Sequence, residues 1–454
     1  MSLCACFQPS CGASQPDIFA MTYRLPILLL VAALGVVPTM PADVLAGQRA
    51  NAAALEPIGL EVAWRGQAVM NPRRDKLAHF SNDVEVVYAQ SSAGVVSVFN
   101  AETGRRLWAR QVGQTDEVSM QAVSNSDIVL VVAGPVGWGL DKFTGEVLFE
   151  QRLRHHPSAA PAIDSGSCYF PLADGSVHAY AIQTLKYLER YSELPPGVAQ
   201  PHLWRFNLNE KIRLPVVATE KVLVFGTKHD NLYSISPAGS TYYQQFLNAG
   251  TTAPICIDNH GDRQTIVVAT ADGNLYGFDL TRGTSEWLVP LERNVYEQPL
   301  ALDGRVYFVM RSAGLGAVST ATGRYVDIAD EVSGERRWFV PGVTSILGIA
   351  QDAIYGLDGN NRVVAIDKET ARVIDRVSVG RYSKGIRNAV TDRLLLASAA
   401  GELICLKPAG SRFATFHQRP ENEPLEVDIP ATDTDVAPEA DDAAEDTDEI
   451  PQPE

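Results

Sequence analysis

An all-β fold made from about eight copies of one four-stranded unit is what this sequence predicts, on three observations. The 454 residues include 35 glycines and 27 prolines and show no long helical periodicity. Short apolar runs of strand length are separated by turns rich in Gly, Asp and Asn. The pattern of runs and turns then repeats with a period near 40 residues, which is the length of one propeller blade.

The unit is clearest at two places. Val84–Tyr88 is followed by a turn ending at Gly94, a second run Val95–Phe99, then Asn100, Thr103, Gly104 and Trp108. Ile266–Thr270 is followed by Asp272 and Gly273, a second run Leu275–Phe278, then Asp279, Gly283 and Trp287. Gly to Asx is six residues in both, and Asx to Trp is eight in both. Asp141, Thr144, Gly145 and Phe149 keep this frame. Gly175, Ala181 and Thr184 keep part of it, as do Ser319, Thr322 and Gly323. Asp367 and Thr370 follow it with Ala371 where glycine is expected. The markers fall at 100, 141, 181, 236, 279, 319, 367 and 407. The unit near Ser236 is degenerate, so seven blades and eight both stay open.

Each part of the frame has a physical task. The apolar runs are central strands, buried on both faces between neighbouring units. Glycine makes the tight turn between them, where positive φ is needed. The Asp or Asn accepts backbone N–H groups across the next turn, and Thr adds a second acceptor. Trp108 and Trp287 begin an outer strand and cover the edge of the next unit with a large ring. Pro161, Pro215, Pro254 and Pro299 each precede an apolar pair and mark an inner strand, where proline costs no ladder hydrogen bond. Units that cannot bury both faces alone must stack, and a ring does this while leaving only short edges. The prediction is therefore an eight-bladed β-propeller of antiparallel blades. Ala63–Val69 resembles Leu107–Val112 and is expected to supply the outer strand of the last blade; Arg412–Phe416 is the competing segment.

The two chain ends lie outside this pattern. Residues 1–46 form a signal-peptide region: Arg24, the apolar run Leu25–Val37, and small residues around Val44–Ala46, with translation expected to start at Met21. Cleavage and retention as an anchor are both open. The run is too short and too broken by Pro26 and Pro38 for a stable membrane span. Residues 47–59 read as a linker and 60–416 as the propeller. Residues 417–454 read as a disordered tail, because Pro420–Glu454 holds fourteen acidic residues, six prolines, no Lys or Arg and no aromatic residue. The net charge of −16 sits almost wholly in that tail, and the near-neutral remainder gives no footprint for nucleic acid. Cys168, Cys256 and Cys405 each lie in an apolar run and read as buried thiols.

The repeated Asp-x-x-Thr-Gly-x-x-x-Trp frame resembles the PQQ-like repeat of pyrroloquinoline-quinone-enzyme-type β-propellers, over roughly residues 60–416. The resemblance implies one of two branches: quinone-dependent dehydrogenases, or non-enzymatic propellers like the outer-membrane assembly lipoprotein BamB. The dehydrogenases are longer and carry a vicinal disulfide, which this chain lacks. It also lacks the lipid-accepting cysteine of the assembly lipoprotein. The expectation is an exported, non-enzymatic scaffold in the periplasm or cell envelope that binds another envelope protein or peptide; the alternative is a PQQ-dependent oxidoreductase with an axial cofactor.

No catalytic, cofactor-binding or metal-ligating residue is assigned. Gly94, Asn100, Thr103, Gly104, Trp108, Asp141, Thr144, Gly145, Gly273, Asp279, Gly283, Trp287 and Asp367 recur once per unit and read as structural. His155 and His156 sit beside Arg152 and Arg154 in a solvated basic loop, and His178 and His229 are expected to pack or hydrogen-bond. Two insertions exceed what the repeat needs, Lys186–Lys211 and Arg324–Gly342. Long loops on a rigid scaffold carry binding, and Tyr, Trp and Arg are favoured anchors. Tyr187, Tyr191, Trp204, Arg336, Arg337 and Trp338 are therefore the candidate partner-binding residues; a cap packed onto the ring is the equally weighted reading.

Overall fold

The structure, a computed structural model, describes residues 52–417 except 209, 260–263 and 331–333, and the side chains of 52, 53, 329, 330 and 334–336 also fall outside it. The predicted signal region and acidic tail lie outside the described residues. Eight four-stranded antiparallel sheets follow one another along the chain as the blades of a β-propeller. Blade 1 is Leu77–Asn82, Val86–Ser91, Val95–Asn100 and Arg106–Gln111. The other blades repeat this order from inside to outside, and the degenerate unit near Ser236 is complete: Val217–Ala218, Leu223–Gly226, Asn231–Ile235 and Thr241–Phe246 form blade 4. The count is eight.

Periodicity explains the layers. The second strand of each blade is buried along its length, as at Val86–Ser91 and Ile128–Ala133, because both its faces meet a neighbouring blade. The outer strands alternate, as His202–Asn207 does, with only one face packed. The inner strands follow the marker prolines at Ala162–Ile163, Val217–Ala218, Cys256–Asp258 and Leu300–Leu302. Cys168, Cys256 and Cys405 are free and buried.

Blade 8 is closed by the start of the chain. Tyr382–Ile386, Leu394–Ser398 and Glu402–Pro408 are followed spatially by Leu60–Gln67, which runs antiparallel to Glu402–Pro408 from Leu60 opposite Pro408 to Gln67 opposite Glu402. Trp64 on this strand sits where Trp108 sits in blade 1. The competing segment does not join the sheet; Phe416 only bridges to Thr391. The stretch expected to be a linker, 47–59, is described from residue 52 on. Ala52–Leu55 is helical, and Leu55 and Ile58 are buried against blades 7 and 8, where their apolar side chains leave water together and Tyr355 Oη donates to Ile58 O at 2.8 Å.

The repeated polar frame holds neighbouring blades together. Asn100 Oδ1 accepts from Thr103 N and Thr103 Oγ1, both at 2.8 Å; Asp141 and Asp367 each accept from the Thr three residues on in the same way. Burial alone would raise the Asp141 carboxyl, but the Thr144 and Phe143 hydrogen bonds hold it below the ordinary carboxylate range. Onto each of these turns docks a tryptophan from the preceding blade. Trp64, Trp108, Trp204, Trp287 and Trp338 donate Nε1–H to the carbonyls of Ala101, Lys142, Pro237, Thr320 and Lys368, at 2.6–2.9 Å. In blade 4 Tyr243 takes this place and donates to Leu280 O. The ring lies flat on the turn glycine: a methyl group added at Gly145 would stand 2.6 Å from Trp108. The glycine is thus required twice, for its φ of +74° and for close approach.

Blade 2 has Phe149 in place of the tryptophan, and a different element fills the gap. The helix Ile182–Tyr191, inserted between the third and outer strands of blade 3, packs on the outer strand of blade 2. Phe149 and Leu185 are both fully buried in that contact.

Candidate interaction faces

Alternating strand directions sort every connection to one of two ends of the ring. First-to-second and third-to-outer connections share one face, here called the lower face. Second-to-third connections and the links between blades share the upper face.

Both insertions leave the lower face, since both join a third strand to an outer strand. The first is the helix Ile182–Tyr191 with the segment to His202; the Tyr187 and Tyr191 rings pack at a tilt with centroids 4.5 Å apart, and Tyr191 is exposed. The second is a ribbon, Asp327–Asp330 paired with Gly334–Arg337, beside blade 6. Arg337 stacks its guanidinium 4.7 Å over the Tyr325 ring. Arg336 lies on the ribbon, and its side chain is outside the described residues. Trp204 and Trp338 are not on the inserted loops. Trp204 belongs to the outer strand of blade 3, and Trp338 is wholly buried one residue before the outer strand Phe339–Pro341 of blade 6. Both rings do the docking task of Trp108 and Trp287. The spacing hid this, because the inserted residues break the eight-residue distance from marker to tryptophan.

Other apolar side chains open to solvent on the lower face are Phe143 in the blade 2 turn and Phe413 and Phe416 after the last strand. Ion pairs between blades stiffen the same face. Lys142 of blade 2, itself buried, pairs with Asp83 at 3.0 Å and Glu85 at 2.7 Å of blade 1. Arg393 of blade 8 pairs with Glu102 of blade 1 at 2.8 Å.

The upper face holds a cavity of about 390 Å³ between blades 6 and 7, lined by Tyr296, Glu297, Val309, Arg311 and Thr344. Arg311 stands 5.2 Å over the Tyr296 ring. Glu297 keeps part of its surface open to the cavity, yet the protein packed round its carboxyl pushes it up to about 7, against the lowering effect of the Ile346 N–H and of Arg387. Arg387, at the end of the blade 8 inner strand, reaches past blade 7 to Pro299 O at 3.0 Å and Gln298 Oε1 at 2.8 Å; Gln298 Nε2 in turn donates to Ile255 O of blade 5 at 2.6 Å. Polar side chains thus tie the inner strands of blades 5, 6 and 8. None of these residues belongs to the repeat, so no periodic signal marked them. Loop residues His155 and His156 are exposed on this face, with His155 Nε2 3.5 Å from Asp174. His229 is exposed 3.4 Å from Glu210. His178 is 4% exposed, and its Nε2 has no hydrogen-bond partner.

A quinone held by calcium needs several oxygen ligands that converge. Among the described residues no three His, Cys, Asp or Glu side chains gather in that way.

Ring, blade and docking tryptophan define a β-propeller of PQQ-like repeats. The profile of the family described as "Outer membrane protein assembly factor BamB" matches residues 92–199 and 198–379, and the chain belongs to this family. Among solved structures it is similar to BamB from Moraxella catarrhalis, with a TM-score of 0.59 and 14% identity over 78% of this chain and 99% of that one. It is also similar to the computationally designed Ika8 protein, with a TM-score of 0.56 and 14% identity over 75% of this chain and 98% of that one. At such identity these likenesses speak for the fold alone. A search of curated proteins gives no match.

Proposed function

We propose that this propeller is an exported scaffold of the periplasm or cell envelope that binds another envelope protein or an extended peptide through its lower face. The observation that carries the reading is the placement of both insertions, with exposed Tyr191, Phe143, Phe413 and Phe416, on that one end of the ring. A rigid ring presenting irregular aromatic-bearing loops on one face suits recognition of a protein surface. Membership of the BamB-described family supports the envelope setting.

The test compares the full chain with two variants, Tyr187→Ser/Tyr191→Ser and a ribbon shortened between Asp327 and Arg337 to a tight turn, in cross-linking and pull-down from envelope extract. Partners held by the full chain and lost from both variants are the expected result. An unchanged partner set would remove the lower face from the reading. Stoichiometric uptake of PQQ with calcium, accompanied by dye-linked alcohol oxidation, would overturn the scaffold reading in favour of an oxidoreductase.

A further inference from the structure

The outer edge of every blade presents unpaired backbone N–H and C=O groups, and proteins protect such edges with charged side chains or very short strands. Six of the eight outer strands here carry charge: Arg106 and Arg110, Glu150 and Arg152, Arg205, Glu286, Asp375 and Arg376, and Glu61 and Arg65. That of blade 6 has only three residues. The outer strand of blade 4, Thr241–Phe246, is the exception: it has six residues, Thr-Tyr-Tyr-Gln-Gln-Phe, with neither charge nor proline. No charged residue occurs between Asp230 and Asp258. Phe246 at 76% is the most exposed large hydrophobic side chain among the described residues, and Tyr242, the extra residue of a β-bulge in this strand, is 56% exposed. Nothing among the described residues pairs with this edge.

We infer that this edge pairs with the same strand of a second copy of the chain. The sequence is complementary to itself. A two-fold axis perpendicular to the sheet, midway between two such strands at the level of Gln244, brings Gln244 opposite Gln244 and sets Phe246 of each copy against the bulge at Tyr242 of the other. Directly opposed residues in an antiparallel pair share a face, so the alternation of packed and exposed side chains over Tyr243–Gln245 is kept across the junction. Two aromatic cross-strand pairs then cover the exposed rings, and no like charges meet. The surface is below standard interface size, so the dimer is weak and concentration-dependent.

The register gives the test. In the full chain with Cys4, Cys6 and Cys11 replaced by serine, Gln244→Cys is expected to form an intermolecular disulfide with itself, since opposed residues lie within disulfide reach. Tyr242→Cys alone is expected not to, and to cross-link only when mixed with Phe246→Cys. By sedimentation up to a few hundred micromolar, Phe246→Lys is expected to raise the dimer dissociation constant at least about tenfold. Ile374→Lys, an exposed position on the outer strand of blade 7, is expected to leave it unchanged, and the melting temperature of each variant confirms folding. A chain that stays monomeric throughout with no cross-link at 244, or a dimer indifferent to Phe246→Lys, overturns the inference.

Discussion

At the scale of single residues, the docking tryptophans and their glycines carry the most readable energetics. Trp287 is buried, and its indole N–H reaches Thr320 O at 2.6 Å. Trp287→Phe removes mainly that hydrogen bond and is expected to cost about 1 kcal/mol; Trp287→Ala leaves a cavity and costs about 3–5 kcal/mol, both read by chemical denaturation. Ala371 holds φ at +54° where blades 1, 2, 4, 5 and 6 use glycine. Ala371→Gly relieves a left-handed backbone and is expected to stabilise by up to about 1 kcal/mol. His178 gives a pH signature. Burial and the neighbouring Arg205 lower it to about 4, with His202 and Arg154 adding to the effect and Asp174 opposing it. Between pH 6.5 and 4 the unfolded chain binds a proton at this ring that the folded chain refuses, so this contribution to stability is present above pH 6.5 and lost on acidification through that window. The loss is on the order of 3 kcal/mol. His178→Gln is expected to flatten the acid limb of a stability-against-pH profile relative to the parent chain, and parallel profiles would contradict the assignment.

At the scale of elements, the helix Ile182–Tyr191 replaces the missing tryptophan contact between blades 2 and 3. Leu185→Ala is therefore expected to destabilise by about 2–5 kcal/mol, as a core truncation does, although the residue lies in an insertion; a loss under 1 kcal/mol by urea melting would show the helix to be an ornament. The strands themselves were legible from alternation and turn chemistry, because Gly94, Asn100 and Trp108 obey short-range rules that act within one hairpin. The helix was not read: Thr184 matched the strand-turn frame, and only the tertiary contact with Phe149 decides for helix there. Trp204 and Trp338 were misplaced for a related reason, since insertions change spacing along the chain while leaving positions in space intact. Arg387 reaches Gln298 and Pro299 only through the curvature of the ring, and no local pattern encodes that.

At the scale of the molecule, eight blades form one cooperative unit only if the ring is shut. Leu60–Gln67 does this through backbone pairing and through Trp64 on blade 1. A chain beginning after Gln67 exposes the third strand of blade 8 and frees the blade 1 turn. It is expected to lose the single sharp melting transition and to expose apolar surface to a hydrophobic dye, whereas Trp64→Ala should lower the melting temperature and keep the transition sharp.

The first strand of the ring pairs with nearly the last one made, Gln67 meeting Glu402. While the chain emerges in order, its leading segment must wait without a partner until blade 8 arrives, and blade 1 meanwhile shows a bare flank. The closing contact is the longest-range strand pairing among the described residues, so its loop-closure entropy is met late. The circle seals only once both ends of the propeller sequence are present together.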